Sequence, residues 1–315
     1  MKGISKLIIR PLREIYSPII DLGPANFILQ GKVYTRSDIK IRNTRGMNLE
    51  CSWYQPKFSD KQKLPCIIYC HGNCGSRLDA IDIAKALLPI GVSVFAFDFS
   101  GSGLSEGEYV TLGYYESWDL KTIIEYIKNT EKASGIGLWG RSMGAACCIL
   151  YASCDPEMMF LILDSPFTSL KEVSEQLISS YKIIPKGLFR YVFAALRESI
   201  IENAHFDILE VSPVKYIGKC LMPAIFLHAT KDRLVNVAQS RELYEKYYGD
   251  KYLLELGGGH NSTRPSLVLD RVVEIIKGIL ESPHSLHENL EDGMKTLRTV
   301  PPSFKSKRQN SLEKA

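Results

Sequence analysis

The chain has 315 residues, room for one large domain or two small ones. Apolar residues make up 45% of it and charged residues 23%, the balance of a globular chain rather than a disordered one. The 39 Lys and Arg against 35 Asp and Glu leave a net charge of only +4, too thin an excess for a nucleic-acid binder, and no apolar run nears the roughly 18 residues of a membrane-spanning helix.

The first sixteen residues place Lys2, Lys6, Arg10 and Arg13 among Ile4, Leu7, Ile8, Leu12 and Ile15 at roughly helical spacing. Such a segment suits a membrane surface or the flank of its own domain. Pro11 interrupts a continuous helix and favours the flank, with peripheral membrane contact as the alternative. Asp38 to Tyr54 alternates as strands do, around a turn at Asn43-Thr44-Arg45-Gly46. Short apolar runs and helical stretches then alternate. Strands are expected at Cys66–Cys70, Val92–Phe97, Ile136–Trp139, Phe160–Leu163, Ala224–His228 and Tyr252–Leu256. Helices are expected at Leu78–Pro89, Tyr115–Lys128, Met143–Tyr151 and Leu267–Leu280. Strands bare of polar residues between helices imply a mostly parallel, doubly wound α/β sheet covered on both faces.

One stretch, about 167–220, breaks the alternation with helical text only and is strongly apolar, as a lid insertion would be. The chain therefore divides into an α/β domain over 1–282 carrying that lid, and a polar, flexible tail over 283–315. Arg308 three residues before Ser311 is a weak kinase-site pattern in that tail.

The eight cysteines (Cys51, Cys66, Cys70, Cys74, Cys147, Cys148, Cys154 and Cys220) follow no disulfide spacing, and most lie in apolar runs where a thiol packs as a small hydrophobe. No secretory signal peptide opens the chain, so a reduced, cytoplasmic setting is expected. Cys70, His71 and Cys74 look like half a metal site, but no second ligand pair completes four ligands. Neither a metal nor a cofactor is expected.

Gly140-Arg141-Ser142-Met143-Gly144 matches the nucleophile-elbow pattern Gly-x-Ser-x-Gly. Roughly 0.15 chance matches are expected in such a chain, so its context carries more weight than the pattern. A strand precedes it and a helix follows, which puts a serine hydroxyl on a strained turn, with glycines where side chains would strike backbone. A serine needs a base, and a base needs an orienting acid. Asp232 follows the strand 224–228 and His260 follows the strand 252–256 behind Gly257-Gly258-Gly259, in the order Ser, Asp, His that this elbow requires. Asp164 ends a strand one step too early, and His228 lies inside a strand, where a buried, satisfied histidine is the simpler reading. His205 lies in the lid, and His284 and His287 in the tail. Oxyanion donors are expected from the amide of Met143, at a helix N-terminus, and from Asn73 in His71-Gly72-Asn73. Asp98-Phe99-Ser100-Gly101-Ser102-Gly103 has Glu106 where a dinucleotide fingerprint needs its third glycine, so it reads as a tight turn lining the cleft.

These landmarks, with Asp164-Ser165-Pro166-Phe167 and Gly259-His260-Asn261, resemble the α/β-hydrolase superfamily from about Leu7 to Leu280. The resemblance is to the eukaryotic group described by the serine aminopeptidase S33 domain, and to depalmitoylases of the α/β-hydrolase-domain type. The latter carry a cysteine-rich N-terminus, whereas the first cysteine here is Cys51. The resemblance implies a serine hydrolase with Ser142, Asp232 and His260 as its triad. The expected substrate is a small molecule or acyl group bound through an ester or thioester. An aminopeptidase is the alternative, with Glu172, Glu175, Glu198 or Glu202 holding the substrate ammonium. A scaffold that has lost catalysis is the third reading.

Overall fold

Nine strands form one sheet in the computed structural model, which describes residues 2–57, 63–180 and 188–281. They are β1 (Asn26–Leu29), β2 (Lys32–Arg42), β3 (Asn48–Pro56), β4 (Leu64–Cys70), β5 (Ser93–Phe97), β6 (Ala133–Arg141), β7 (Leu161–Asp164), β8 (Ala224–Ala229) and β9 (Lys251–Leu256). Their order across the sheet is β1-β2-β3-β5-β4-β6-β7-β8-β9. The β1, β2 and β3 edge is antiparallel, as is the β3–β5 pair, and every pair from β5 to β9 is parallel. The expected hairpin is present and longer than its alternating text, pairing Arg42 with Asn48 and Tyr34 with Pro56.

Both faces of the central strands are buried because successive side chains point to opposite sides. Along β4, Cys66, Ile68 and Cys70 join one core while Ile67 and Tyr69 join the other. Phe95 and Phe97 of β5 split from Val94 and Ala96 in the same way. The first core is capped by α1 (Lys2–Ile9), α3 (Tyr114–Thr130), α4 (Met143–Ala152) and α6 (Phe189–Ala204), the second by α2 (Ile81–Leu87) and α8 (Ser266–Glu281). Val268, Val272, Ile275, Ile276 and Ile279 of α8 recur at helical spacing, giving the single apolar stripe a covering helix needs.

Pro11 follows the end of α1 closely, and Ile8 and Ile9 are buried in the first core. The N-terminal segment packs on the flank of its own domain, and Ser199 of α6 donates to Ser5 at 2.9 Å. The stretch between β7 and β8 holds α5 (Leu170–Ser180) and α6, with residues 181–187 outside the described set. The tail over 283–315, with Ser311, His284 and His287, also lies outside it. Two elements have no counterpart in the sequence expectations, β1 and the helix α7 (Val237–Glu245) between β8 and β9. No described helix is long and apolar enough to cross a membrane.

Candidate active site

The end of β6 and the start of α4 leave Ser142 alone at the corner, with φ 53° and ψ −112°. Positive φ strains any residue that carries a Cβ, so something must hold it there. The Ser142 amide donates to the Asp164 carbonyl at 2.7 Å, and the Ser142 carbonyl accepts from Ala146 at 3.1 Å. A methyl on Gly140 would strike the Gly144 backbone, and one on Gly144 would strike the Cys70 and His71 carbonyls. Both elbow glycines are therefore required by space.

The loop after β9 brings His260 to this corner. Its Nε2 lies 3.0 Å from Ser142 Oγ, and its Nδ1 lies 2.6 Å from Asp232 Oδ2. Asp232 stands in the turn after β8, where its Oδ1 accepts the Leu234 and Val235 amides at 2.9 and 2.8 Å. Burial alone would raise the Asp232 pKa, but hydrogen bonds with His228 and His260, helped by the Val235 amide, outweigh it and hold the carboxyl below its usual range. Ser142 is 9% exposed and the Asp232 carboxylate is wholly buried, so the hydrogen-bonded chain meets water only narrowly, toward its serine and imidazole end.

Met143 is the first residue of α4, so its amide has no acceptor within the helix. A methyl built on Gly72 would stand 3.8 Å from Ser142 Cβ, which places the loop carrying Asn73 beside the serine. The Asn73 side-chain oxygen is buried without a hydrogen-bond partner among the described residues. His71 is fully used inside that loop, its Nδ1 2.7 Å from the Gly72 carbonyl and its Nε2 accepting the Phe99 amide at 3.0 Å. Burial lowers its pKa.

Two solved structures share this fold, the first of them an esterase. Pf2001 from Pyrococcus furiosus overlays with a TM-score of 0.64 at 24% identity, covering 86% of this chain and 98% of that one. Est1E from Butyrivibrio proteoclasticus, solved with ferulic acid, overlays with a TM-score of 0.60 at 19% identity, covering 78% of this chain and all of that one. Residues 61–205 match the family described as serine aminopeptidase, S33. The chain has the α/β-hydrolase fold. Among its relatives in sequence, an uncharacterized Bacillus subtilis protein, YqkD, is 32% identical over 202 residues, 61% of this chain and 63% of that protein. The lysophosphatidylserine lipase ABHD12 of Xenopus tropicalis is 29% identical over 231 residues, 71% of this chain and 56% of that protein. The chain thus spans less than two thirds of either relative's own length.

Other residues raised by the sequence are occupied elsewhere in this fold. Asp164 is paired with Arg264, Nε to Oδ2 at 2.8 Å and Nη2 to Oδ1 at 2.5 Å. Burial works against its ionisation, yet the Arg264 charge and hydrogen bonds push the Asp164 pKa down to about 2. His228 is fully buried, with Nδ1 2.6 Å from Ser240 Oγ and Nε2 2.9 Å from the Val235 carbonyl. Its Nε2 also lies 3.4 Å from Asp232 Oδ2, a contact the strand text gave no sign of. Asp98 is buried against Tyr16 and the Arg77 and Leu104 amides, so its carboxylate fastens the turn rather than facing the cleft. Glu172 accepts from Thr168, Glu175 pairs with Lys171, and Glu198 and Glu202 are exposed on α6. No group of three His, Cys, Asp or Glu placed to hold a metal ion occurs among the described residues.

Sequence reasoning missed two arginines. Arg141 donates to the His260 and Ser262 carbonyls, and Arg264 to the Ser262 carbonyl. The available signal was a charged residue at the variable elbow position, where nothing in the pattern asks for one.

Proposed function

We propose that this chain is a serine hydrolase that cleaves carboxylic ester or thioester bonds through an acyl-enzyme on Ser142. The observation that carries the reading is the unbroken hydrogen-bond chain from Ser142 through His260 to Asp232. In this reading His260 Nε2 takes the hydroxyl proton as Ser142 Oγ attacks the carbonyl carbon. Asp232 keeps the ring proton on Nδ1 and stabilises the imidazolium that forms. The amides of Asn73 and Met143 meet the oxyanion, and loss of one such donor typically costs about a hundred- to a thousandfold in rate. His260 then hands its proton to the leaving oxygen or sulfur. Water, activated by the same imidazole, releases the acid.

A hydrophobic acyl group is the favoured substrate. The apolar stretch between β7 and β8 touches the acid's turn, with Gln176 of α5 donating to the Arg233 carbonyl at 3.0 Å. The lipase named among the relatives acts on an acyl ester, which fits the same class. Eight unpaired cysteines suit a reducing, cytoplasmic setting.

The aminopeptidase reading draws on the matched family's description. It needs a carboxylate for the substrate ammonium, and two of the four lid glutamates are engaged with Thr168 and Lys171. Turnover of nitrophenyl esters of rising acyl length, set beside aminoacyl amides, separates the two, with esters expected to be faster. A fluorophosphonate probe is expected to label the wild-type chain and to leave Ser142→Ala unlabelled. Labelling that survives the substitution removes Ser142 as nucleophile, and an unlabelled wild type supports an inactive scaffold.

A further inference from the structure

The loop that carries His260 has little stiffness of its own. Residues 257–259 are glycines, and Gly258 sits at φ 110°, so the backbone there is held by its contacts rather than by side chains. The loop closes on itself through Ser262, whose Oγ accepts the Gly259 amide at 2.9 Å. Two guanidinium groups grip it from outside. Arg141 Nη2 donates to the carbonyls of His260 at 2.8 Å and Ser262 at 3.2 Å. Arg264 Nη1 reaches the same Ser262 carbonyl at 3.1 Å. Arg264 is itself fixed by both oxygens of Asp164, and its Nη2 also lies 3.0 Å from Ser165 Oγ. The Asp164 carbonyl in turn holds the Ser142 amide at 2.7 Å.

Serine and imidazole thus hang from one piece of framework. Arg141 is covalently next to Ser142 and hydrogen-bonded to the backbone of His260. Asp164 grips Ser142 through its carbonyl and the His260 loop through Arg264. We propose that Arg141 is a positioning residue that sets the His260 imidazole over Ser142, with the Asp164–Arg264 pair steadying the other side of the loop. This rests on the serine hydrolase reading. A charge-assisted donor to a carbonyl is shorter and stronger than a neutral one, and one guanidinium nitrogen carries two N–H groups for two carbonyls. Displacing a reacting group by about 1 Å is enough to cost on the order of a hundredfold in rate.

The test uses the full chain and a short nitrophenyl ester. Arg141→Gln is expected to lower kcat by about ten- to a hundredfold, with KM within about twofold. Arg141→Lys, which keeps the charge, is expected to regain part of the loss. The downfield proton resonance of His260 Nδ1–H is expected to shift or broaden in Arg141→Gln, while the melting temperature stays near that of the wild type. Wild-type kcat in Arg141→Gln overturns the inference, as does a kcat loss with that resonance unmoved. Should Arg141→Gln fail to fold, Arg141→Ala with added methylguanidinium decides: recovery of kcat supports the role, and no recovery with an unmoved resonance overturns it. A wild type that fluorophosphonate does not label sinks the hydrolase reading. A labelled wild type with an indifferent Arg141→Gln sinks this inference alone.

Discussion

Asp164 at the end of β7 and Asp232 just past the end of β8 are carboxylates on neighbouring parallel strands, both buried and both held below the usual pKa range. Their partners differ. Asp164 gives both oxygens to a guanidinium, whereas Asp232 gives one oxygen to two backbone amides and the other to the imidazole of His260, with that of His228 at 3.4 Å. An arginine keeps its proton at every working pH, so its aspartate can only pin structure. An imidazole gains and loses a proton near neutrality, so its aspartate can steer a proton transfer. The same side chain in nearly the same place becomes a fastener or, in the proposed function, part of a proton path according to what faces it.

Exchanging these carboxylates for amides tests the contrast. The largest effect is expected from Asp232→Asn, which offers His260 an amide and favours the wrong tautomer. On the pattern of serine triads, kcat on a nitrophenyl ester should fall by about ten-thousandfold with the fold intact by circular dichroism. Asp164→Asn should do the reverse, destabilising the chain by about 3–5 kcal/mol in urea because it leaves Arg264 buried without its counter-charge. Its kcat should fall far less than that of Asp232→Asn, and equal losses in the two variants would erase the distinction. The acid limb of stability is the subtler test. The Asp164 pKa is lowered from 3.8 to about 2 on folding, so its ionised form contributes stability that is complete above the unfolded value and is lost as pH falls toward 2. Urea midpoints of wild type and Asp164→Asn should therefore lie furthest apart near neutral pH and approach each other between about pH 4 and 2. A gap that stays constant across that range would mean the pair contributes nothing through its charge.

The alternation of buried strands and amphipathic helices was legible because hydrophobic period is a local property. Cys66–Cys70 and Leu267–Leu280 fall inside β4 and α8 almost to the residue. The elbow was legible for another reason, since sterics at Gly140 and Gly144 leave a signature in the residues themselves. β1 escaped notice because its four residues are half-exposed at a sheet edge and lack a core-facing run. α7 escaped because its buried positions include Gln239 and Ser240, which do not look like core. The charge at position 141 was legible, but the partners of Arg141 were not. Its contacts join residues 119 and 121 positions apart through backbone carbonyls, which every residue carries and no sequence distinguishes.

The left-handed backbone at Ser142 carries a consequence for how this chain tolerates change. A residue with a Cβ held at φ 53° costs on the order of 1–3 kcal/mol, and glycine escapes most of that. Ser142→Gly is therefore expected to melt at a higher temperature than the wild type while losing turnover altogether. If Ser142 is the nucleophile proposed above, selection for a sturdier protein and selection for a working one pull in opposite directions at this corner, so a search for thermostable variants that ignores activity would be drawn toward the proposed nucleophile.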